Sequence, residues 1–460
     1  MAVGPPIGVR EANRLRPNWS VLGIYLLGVF IGALDTTVIG PAFPLIAHGL
    51  HVSLAWNAWA ITAYTVSYAA FTVLAGAAGD RFGRKRAFTV GVAAFGLASL
   101  VAGFAGTFWL FLVARSIQGL GAGAVYPNAQ AEGIGQFPAE RRGMALGIFG
   151  ATFGLASIIG PNVGGVLAQY VGWRAIFLLN VPIALAVLAR VHVLPRHAGR
   201  GGALPDWLGG LGFATLLVAI LLACSLPGVA RIPALLAIVA CGALFWIRQR
   251  TARPPFLDTG PLASHGGLAM IAGSVVIGLD LSASVFVPTL VQRSLGLSVA
   301  LSGVALMPAA FMGAVLAGAG GVLVDRIGPR AVLQAGLAAA VLGGILLAMP
   351  HLTLLIFILA MLSLGVSTAF TIGAPLNRLA LALYRDEQAG EALSLVAVFR
   401  AVGLASGPIF LTLIAAGHGI GSMFWLVAAA SAVGALVFFG VPDVRPAARA
   451  GSQAAAPQRP

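Results

Sequence analysis

The chain has 460 residues, 59% of them hydrophobic and 9% charged, with a formal net charge of +14. A soluble domain carries about a quarter charged residues to cover its surface, so water is the wrong solvent for most of this chain. A positive balance can signal nucleic acid, but here the basic residues fall in short loops between apolar runs, which excludes that reading and points to a membrane.

The first 20 residues, MAVGPPIGVREANRLRPNWS, are polar and basic and lack a small-residue cleavage site after a short apolar core, so 1–18 reads as a retained tail. Apolar runs of about 20 residues then recur, the length a membrane-spanning helix needs. They lie near 19–44, 57–79, 87–106, 108–131, 143–169, 174–194, 206–226, 231–249, 266–291, 298–324, 331–349, 352–374, 391–416 and 420–440. Continuous apolarity without ten-residue alternation predicts helices rather than a barrel, and so an all-α integral membrane fold of fourteen spans. The seventh and eighth are short and joined by the turn LPGVAR. The last stretch, 441–460, is rich in Pro, Ala and Arg and reads as a disordered tail. Cys224 and Cys241 lie inside apolar runs, away from any disulfide or metal pattern.

Short-loop Lys and Arg set direction. With the N-terminus inside, 22 of the 27 fall on the cytoplasmic side, three on the other, and Arg115 and Arg400 within helices. Both termini are then expected in the cytoplasm.

The loop after the second span reads GAAGDRFGRK from Gly76, and the loop after the tenth reads GVLVDRIGPR from Gly321. Asp80 and Asp325 stand 245 residues apart, and Gly160-Pro161 recurs as Gly407-Pro408 at 247. Two signals at nearly one offset predict a duplication: six helices over 19–194, an extra pair over 195–264, and six over 265–440. Parallel halves of this kind belong to transporters with a midplane site between them.

Several motifs resemble the major facilitator superfamily and, within it, the fourteen-helix drug:proton antiporter family. GAAGDRFGRK is similar to its loop motif, carried here by Gly76, Asp80, Arg81, Gly83, Arg84 and Lys85, with Ala78 where Leu is usual; Asp325, Arg326 and Gly328 repeat it. LVARSIQGLGAG resembles the helix 4 motif, with Arg115, Gln118 and Gly119. GLASIIGPNVGG resembles the helix 5 antiporter motif through Gly154, Gly160, Pro161, Gly164 and Gly165. LDTTVIGPAFP and WRAIFLLNVP are similar to further signatures of the family, although Gly40 replaces a usual polar residue. The resemblance implies a bacterial inner-membrane, proton-coupled exporter of small hydrophobic or cationic compounds, using alternating access, needing no cofactor or metal, and working as a monomer. The alternatives are a proton-coupled exporter or importer of one natural solute and, more remotely, a receptor or membrane-embedded enzyme. No GxxxxGK[ST], HExxH or GxSxG occurs, so an ATP-driven pump, a zincin and an α/β-hydrolase lack their chemistry.

An ionisable group inside an apolar helix is costly enough to be a functional candidate. Asp35 lies roughly 13 Å and Arg115 roughly 10 Å from the outer ends of their helices at 1.5 Å per residue, so the two can share a depth and pair. The bland alternative has Asp35 cap a helix break near Pro41. A neighbouring cation favours the charged carboxylate and lost hydration favours the neutral one, so a small rearrangement moves a proton, and a cationic cargo could compete for the acid. Asp280 lies in the ninth span without a counterpart in the family pattern, as a second proton or substrate site or a merely hydrogen-bonded acid. Arg400, in the thirteenth span, is expected to pair with an acid across the cavity. Glu132 reads as interfacial. Asp80 is expected to face a helix N-terminus of the other half as an inner latch, or else to belong to a purely topogenic basic loop. The glycines of the fifth span are expected to let helices approach closely.

Overall fold

The computed structural model describes residues 18–137, 142–195, 206–226, 228–253, 264–372, 374–383 and 389–441. The predicted tails and parts of the linkers around the extra pair lie outside these residues. Every regular element among the described residues is helical.

The first six spans are α1 (Trp19–Gly49), α2 (Leu54–Phe82), α3 (Arg84–Gly103), α4 (Phe108–Gly135), α5 (Arg142–Tyr170) and α6 (Ala175–Val193). The extra pair is α7 (Trp207–Ser225) and α8 (Ile232–Thr251). The last six are α9 (His265–Ser294), α10 (Val299–Val304 continued by Met307–Ile327), α11 (Pro329–Leu347), α12 (Leu354–Thr371), α13 (Ala389–His418) and α14 (Met423–Val437). Each predicted apolar run is thus helical, and the count of fourteen spans is not confirmed among the described residues. Twelve described helices are long and apolar enough to cross a membrane, or thirteen when α2, bent by 44° near Val73, counts as one. The remaining run, α7, is a helix of 19 residues, of which Trp207–Ala223 is the apolar stretch among the described side chains.

The duplication extends to features that no motif marks. Asn18, Ser53 and Thr107 cap α1, α2 and α4 by accepting from the amides of Val21, Trp56 and Leu110; Ser264, Ser298 and Thr353 do the same for α9, α10 and α12. Gly83 and Gly328 join the repeated helix pairs at φ 101° and 90°, a region where a Cβ is strained. The packing repeats as well: α1 lies on α5, and α2 and α3 on α4, just as α9 lies on α13, and α10 and α11 on α12. Between the two groups α2 packs on α13 and α5 on α10, a pair of interfaces that the repeat exchanges.

These interfaces are tied at the end of the bundle that carries His51. Phe43 of α1 meets Phe286 edge-on at 5.1 Å, Gln292 Nε2 donates to the Pro41 carbonyl at 3.2 Å, and Gln169 Oε1 accepts from the Ala300 amide at 2.8 Å. A Cβ on Gly303 would stand 2.1 Å from the Pro161 carbonyl oxygen, so α10 and α5 touch backbone to backbone. Thr62 Oγ1 donates to the Ala405 carbonyl at 2.7 Å, carrying the junction of α2 and α13 toward the middle of the bundle.

A closed polar island around Asp35 and Arg115

α1 runs unbroken through Pro41 and Pro44, so Asp35 does not cap a break. Asp35 and Arg115 are buried, at 0% and 1% exposure, and form an ion pair in which Arg115 Nη1 donates to Asp35 Oδ2. Arg115 Nη1 also donates to Gln118 Oε1 at 2.9 Å, and its Nε to the Ala60 carbonyl at 3.2 Å. The guanidinium lies 4.5 Å from the Tyr64 ring centroid and 5.6 Å from that of Phe177, a favourable setting for a desolvated cation. Asp35 Oδ1 accepts from Asn180 Nδ2 at 3.0 Å and from Gln118 Nε2 at 3.4 Å, and Gln118 Nε2 donates to Ser99 Oγ at 2.7 Å. Five helices, α1, α2, α3, α4 and α6, contribute to one enclosed network.

Glycine makes this possible. A Cβ on Gly119 would lie 2.2 Å from the Tyr64 carbonyl, and one on Gly123 2.9 Å from that of Tyr68. The bond from Arg115 to Ala60 continues the same side-by-side register one turn earlier. The ARSIQG segment therefore has a physical basis: Gly119 brings α4 against α2, Gln118 clamps both partners of the ion pair, and Arg115 reaches across. Removing one member of a buried pair strands the other charge at roughly 3–5 kcal/mol.

With both Asp35 oxygens enclosed, a cationic cargo finds no open face of this carboxylate, contrary to the expectation that one could compete for it. Asn180, quoted within WRAIFLLNVP but assigned no role there, is a member of the network that sequence reasoning missed; its Oδ1 lacks a partner among the described residues.

Asp280 lies on α9 and accepts from Ser431 Oγ of α14 at 3.0 Å on both oxygens, without an ion pair among the described residues. It has a counterpart after all, in the repeat: Asp280 follows Asp35 by 245 residues, the spacing of the two loop aspartates. The place of Arg115 at that spacing is taken by buried Ala360.

Arg400 does not pair with an acid among the described residues. It is half-buried on α13, and its charge reaches the phenols of Tyr68 on α2 and Tyr126 on α4. Glu132 is buried, at 7% exposure, in the last turn of α4. Asp80 pairs within its own loop with Arg84 at 2.8 Å and is 54% exposed, without an ion pair to a helix of the other group among the described residues. Lys85 Nζ donates to the Leu194 carbonyl at 2.5 Å, Arg81 lies over its neighbour Phe82, and Arg326 is exposed; the Asp325 side chain lies outside the described residues. Of the α5 glycines, Gly160 and Gly164 abut Thr37 and Val38 of α1, and Gly165 abuts Val299 of α10. Gly154 faces open space and is not a close-approach glycine. No group of three or more metal-ligating side chains occurs among the described residues.

A profile of the Major Facilitator Superfamily matches residues 25–405 and again 268–459. The chain belongs to this superfamily. It is therefore a multi-pass membrane transporter and not an enzyme. It is 34% identical over 359 residues to the tetracenomycin C resistance and export protein of Streptomyces glaucescens, covering 74% of this chain and 66% of that one. It is 27% identical to the riboflavin transporter RibZ of Clostridioides difficile, covering 86% and 88%. In fold it is similar to a D-xylose-proton symporter, with a TM-score of 0.68 at 16% identity, covering 93% of this chain and 99% of that one. Among the described residues, this superfamily transporter has a fully buried ion pair in the first six helices, and the corresponding place in the last six holds an acid without a cation.

Proposed function

We propose that the protein is a proton-coupled antiporter that exports small, largely apolar compounds across the cytoplasmic membrane, with Asp35 as the proton-carrying group and Arg115 as its switchable partner. The observation that carries this reading is the enclosed Asp35–Arg115 pair, whose neighbours are neutral donors and backbone carbonyls. A proton on Asp35 cancels the attraction while Gln118 and the Ala60 carbonyl still hold the cation, so protonation loosens α1 from α4 without ejecting a charge into lipid. α1 also carries Pro41 and Phe43 into the His51-end junction, which links the protonation state of Asp35 to that junction mechanically.

By the distribution of basic loops, the His51 end faces outside, and the conformation described is closed there. Asp80, paired with Arg84 of its own loop here, is then the latch of the opposite, outward-open state. Export is supported by the antiporter-like α5 and by the tetracenomycin C relative; the riboflavin transporter relative supports a second reading, transport of one natural solute. The energy source is the proton gradient, without a cofactor.

The test is transport in proteoliposomes with and without an imposed pH gradient. Wild type concentrates substrate against its gradient when protons flow the other way. Asp35→Asn keeps gradient-independent counterflow and loses the pH-driven component. An Asp35→Asn protein that still concentrates substrate under a pH gradient would overturn the assignment.

A further inference from the structure

A charge kept without a counter-charge between the halves of a membrane protein is expensive, and such a group has a use. Arg400 is this group: half-buried and engaged in neither hydrogen bond nor ion pair among the described residues. Its backbone is fixed, because a Cβ on Gly278 would stand 2.0 Å from the Arg400 carbonyl, which locks α13 against α9. Its charge lies within electrostatic range of the phenols of Tyr68 and Tyr126, which belong to the other group of helices and are half-buried as it is.

The level of the group follows from the helix register. Thr62 and Ala405 are hydrogen-bonded across the junction of α2 and α13. Moving from that bond toward the Asp80 end, Tyr68 lies about 9 Å down α2 and Arg400 about 7.5 Å down α13, at 1.5 Å per residue. Both therefore sit at one depth, beyond the sealed junction. Further rings adjoin the two tyrosines: Tyr64 stacks on Tyr68 at 6.3 Å with the planes 6° apart, and Phe153 meets Tyr126 edge-on at 5.3 Å. Tyr126 already accepts from Gln130 at 3.2 Å, which leaves its own proton to donate.

We propose that Arg400, with Tyr68 and Tyr126, forms the recognition site for an anionic group on a flat aromatic cargo, a carboxylate or an acidic phenol, held with its ring against the tyrosines. The guanidinium supplies a two-pronged donor for the anion, the phenols supply further donors, and the ring faces take the apolar body. The proposal rests on the export reading above and replaces a cationic cargo with an anionic one. The site spans both helix groups, so bound cargo favours the conformation in which α2, α4 and α13 are close. Asp35 is enclosed elsewhere, so the coupling between proton and cargo is conformational rather than a competition for one carboxylate.

The test is equilibrium binding to purified full-length protein, read by fluorescence anisotropy with anthracene-2-carboxylate, its neutral carboxamide and the cationic 2-aminomethyl analogue. Wild type is expected to bind the carboxylate roughly tenfold or more tightly than the amide, the factor that a hydrogen bond to a charged group supplies. Arg400→Gln removes this preference by weakening the acid far more than the amide, and an unchanged melting temperature shows that the variant is folded. Arg400→Lys restores part of it. Equal binding of acid and amide by wild type, tighter binding of the cation, no binding of any probe, or loss of acid and amide alike in both Arg400 variants would overturn the proposal. Asp35→Asn keeps the preference for the acid, so failure of the proton-coupling reading is distinguishable from failure of this one.

Discussion

Gly303 on α10 is the most sensitive point of the His51-end junction. A Cβ there would stand 2.1 Å from the Pro161 carbonyl oxygen, whereas ordinary contact begins at 3.4 Å, so Gly303→Ala requires α10 and α5 to part by about 1.3 Å. Both obstructing atoms are backbone, and no rotamer change relieves them. Overpacking of this kind costs about 1–3 kcal/mol. The cost falls only on the conformation in which α5 and α10 touch, so it acts as a bias between states and shifts their ratio by roughly 5- to 150-fold. The assay is a pair of spin labels at Tyr170→Cys and Ser298→Cys, exposed positions on the two sides of the junction, in a chain with Cys224 and Cys241 replaced. Wild type should give a dominant short separation, and Gly303→Ala a dominant longer one. An unchanged distance distribution in well-folded Gly303→Ala protein refutes the reasoning, because the clash would then be absorbed locally instead of by separating the helices.

Other consequences are direct. Gly83→Ala and Gly328→Ala each place a side chain at positive φ, and each should lower the thermal unfolding temperature in detergent by a strain of about 1–2 kcal/mol, while Gly106→Ala, with nothing within 4 Å, leaves it unchanged. Equal melting of all three would remove the case for a conformational role of the loop glycines. Asp80→Ala deletes a solvent-exposed pair contributing at most about 1 kcal/mol, so abundance and melting should hold while the transport rate falls if the outward-open state depends on Asp80. Transport at the wild-type rate in this variant contradicts the latch.

Depth along a helix was legible in the sequence, and rotation about it was not. Counting residues from the helix ends put Asp35 and Arg115 at one level, and the structure joins them. The same arithmetic says nothing about which side chains at that level face inward, so Ser99, Gln118 and Asn180 could not be joined to the pair by number alone. Glu132 was legible as standing near the end of its helix, but not that α4 continues to Gly135 with the acid packed against its neighbours. Fourteen apolar runs were correctly helical, and among the described residues twelve or thirteen of them are long and apolar enough to count as spans. The closed His51-end junction depends on the relative placement of two helix groups, and local pattern carries no record of that.

The repeat separates what the fold needs from what transport needs. Where the halves agree, at the helix caps, the positive-φ glycines and the backbone contacts of α1 with α5 and α9 with α13, the shared residues make the same local geometry twice. Asp35 and Asp280 also agree, and their surroundings do not: Arg115 meets the first, and Ala360 occupies the place of its partner beside the second. Arg400 departs in the opposite sense, since the Gly407-Pro408 correspondence sets it opposite Phe153 of α5, and neither Phe153 nor the adjoining Gly154 carries a charge. Packing cannot explain these differences, because an unmatched charge in a helix bundle opposes packing. Each half has therefore kept the common scaffold with its own ionic arrangement: a matched pair in the first and, among the described residues, an acid and an arginine without counter-charges in the second. A symmetric bundle with charges placed asymmetrically has one group free to hold the proton and another free to meet the cargo, which is the division of labour that conformational coupling requires.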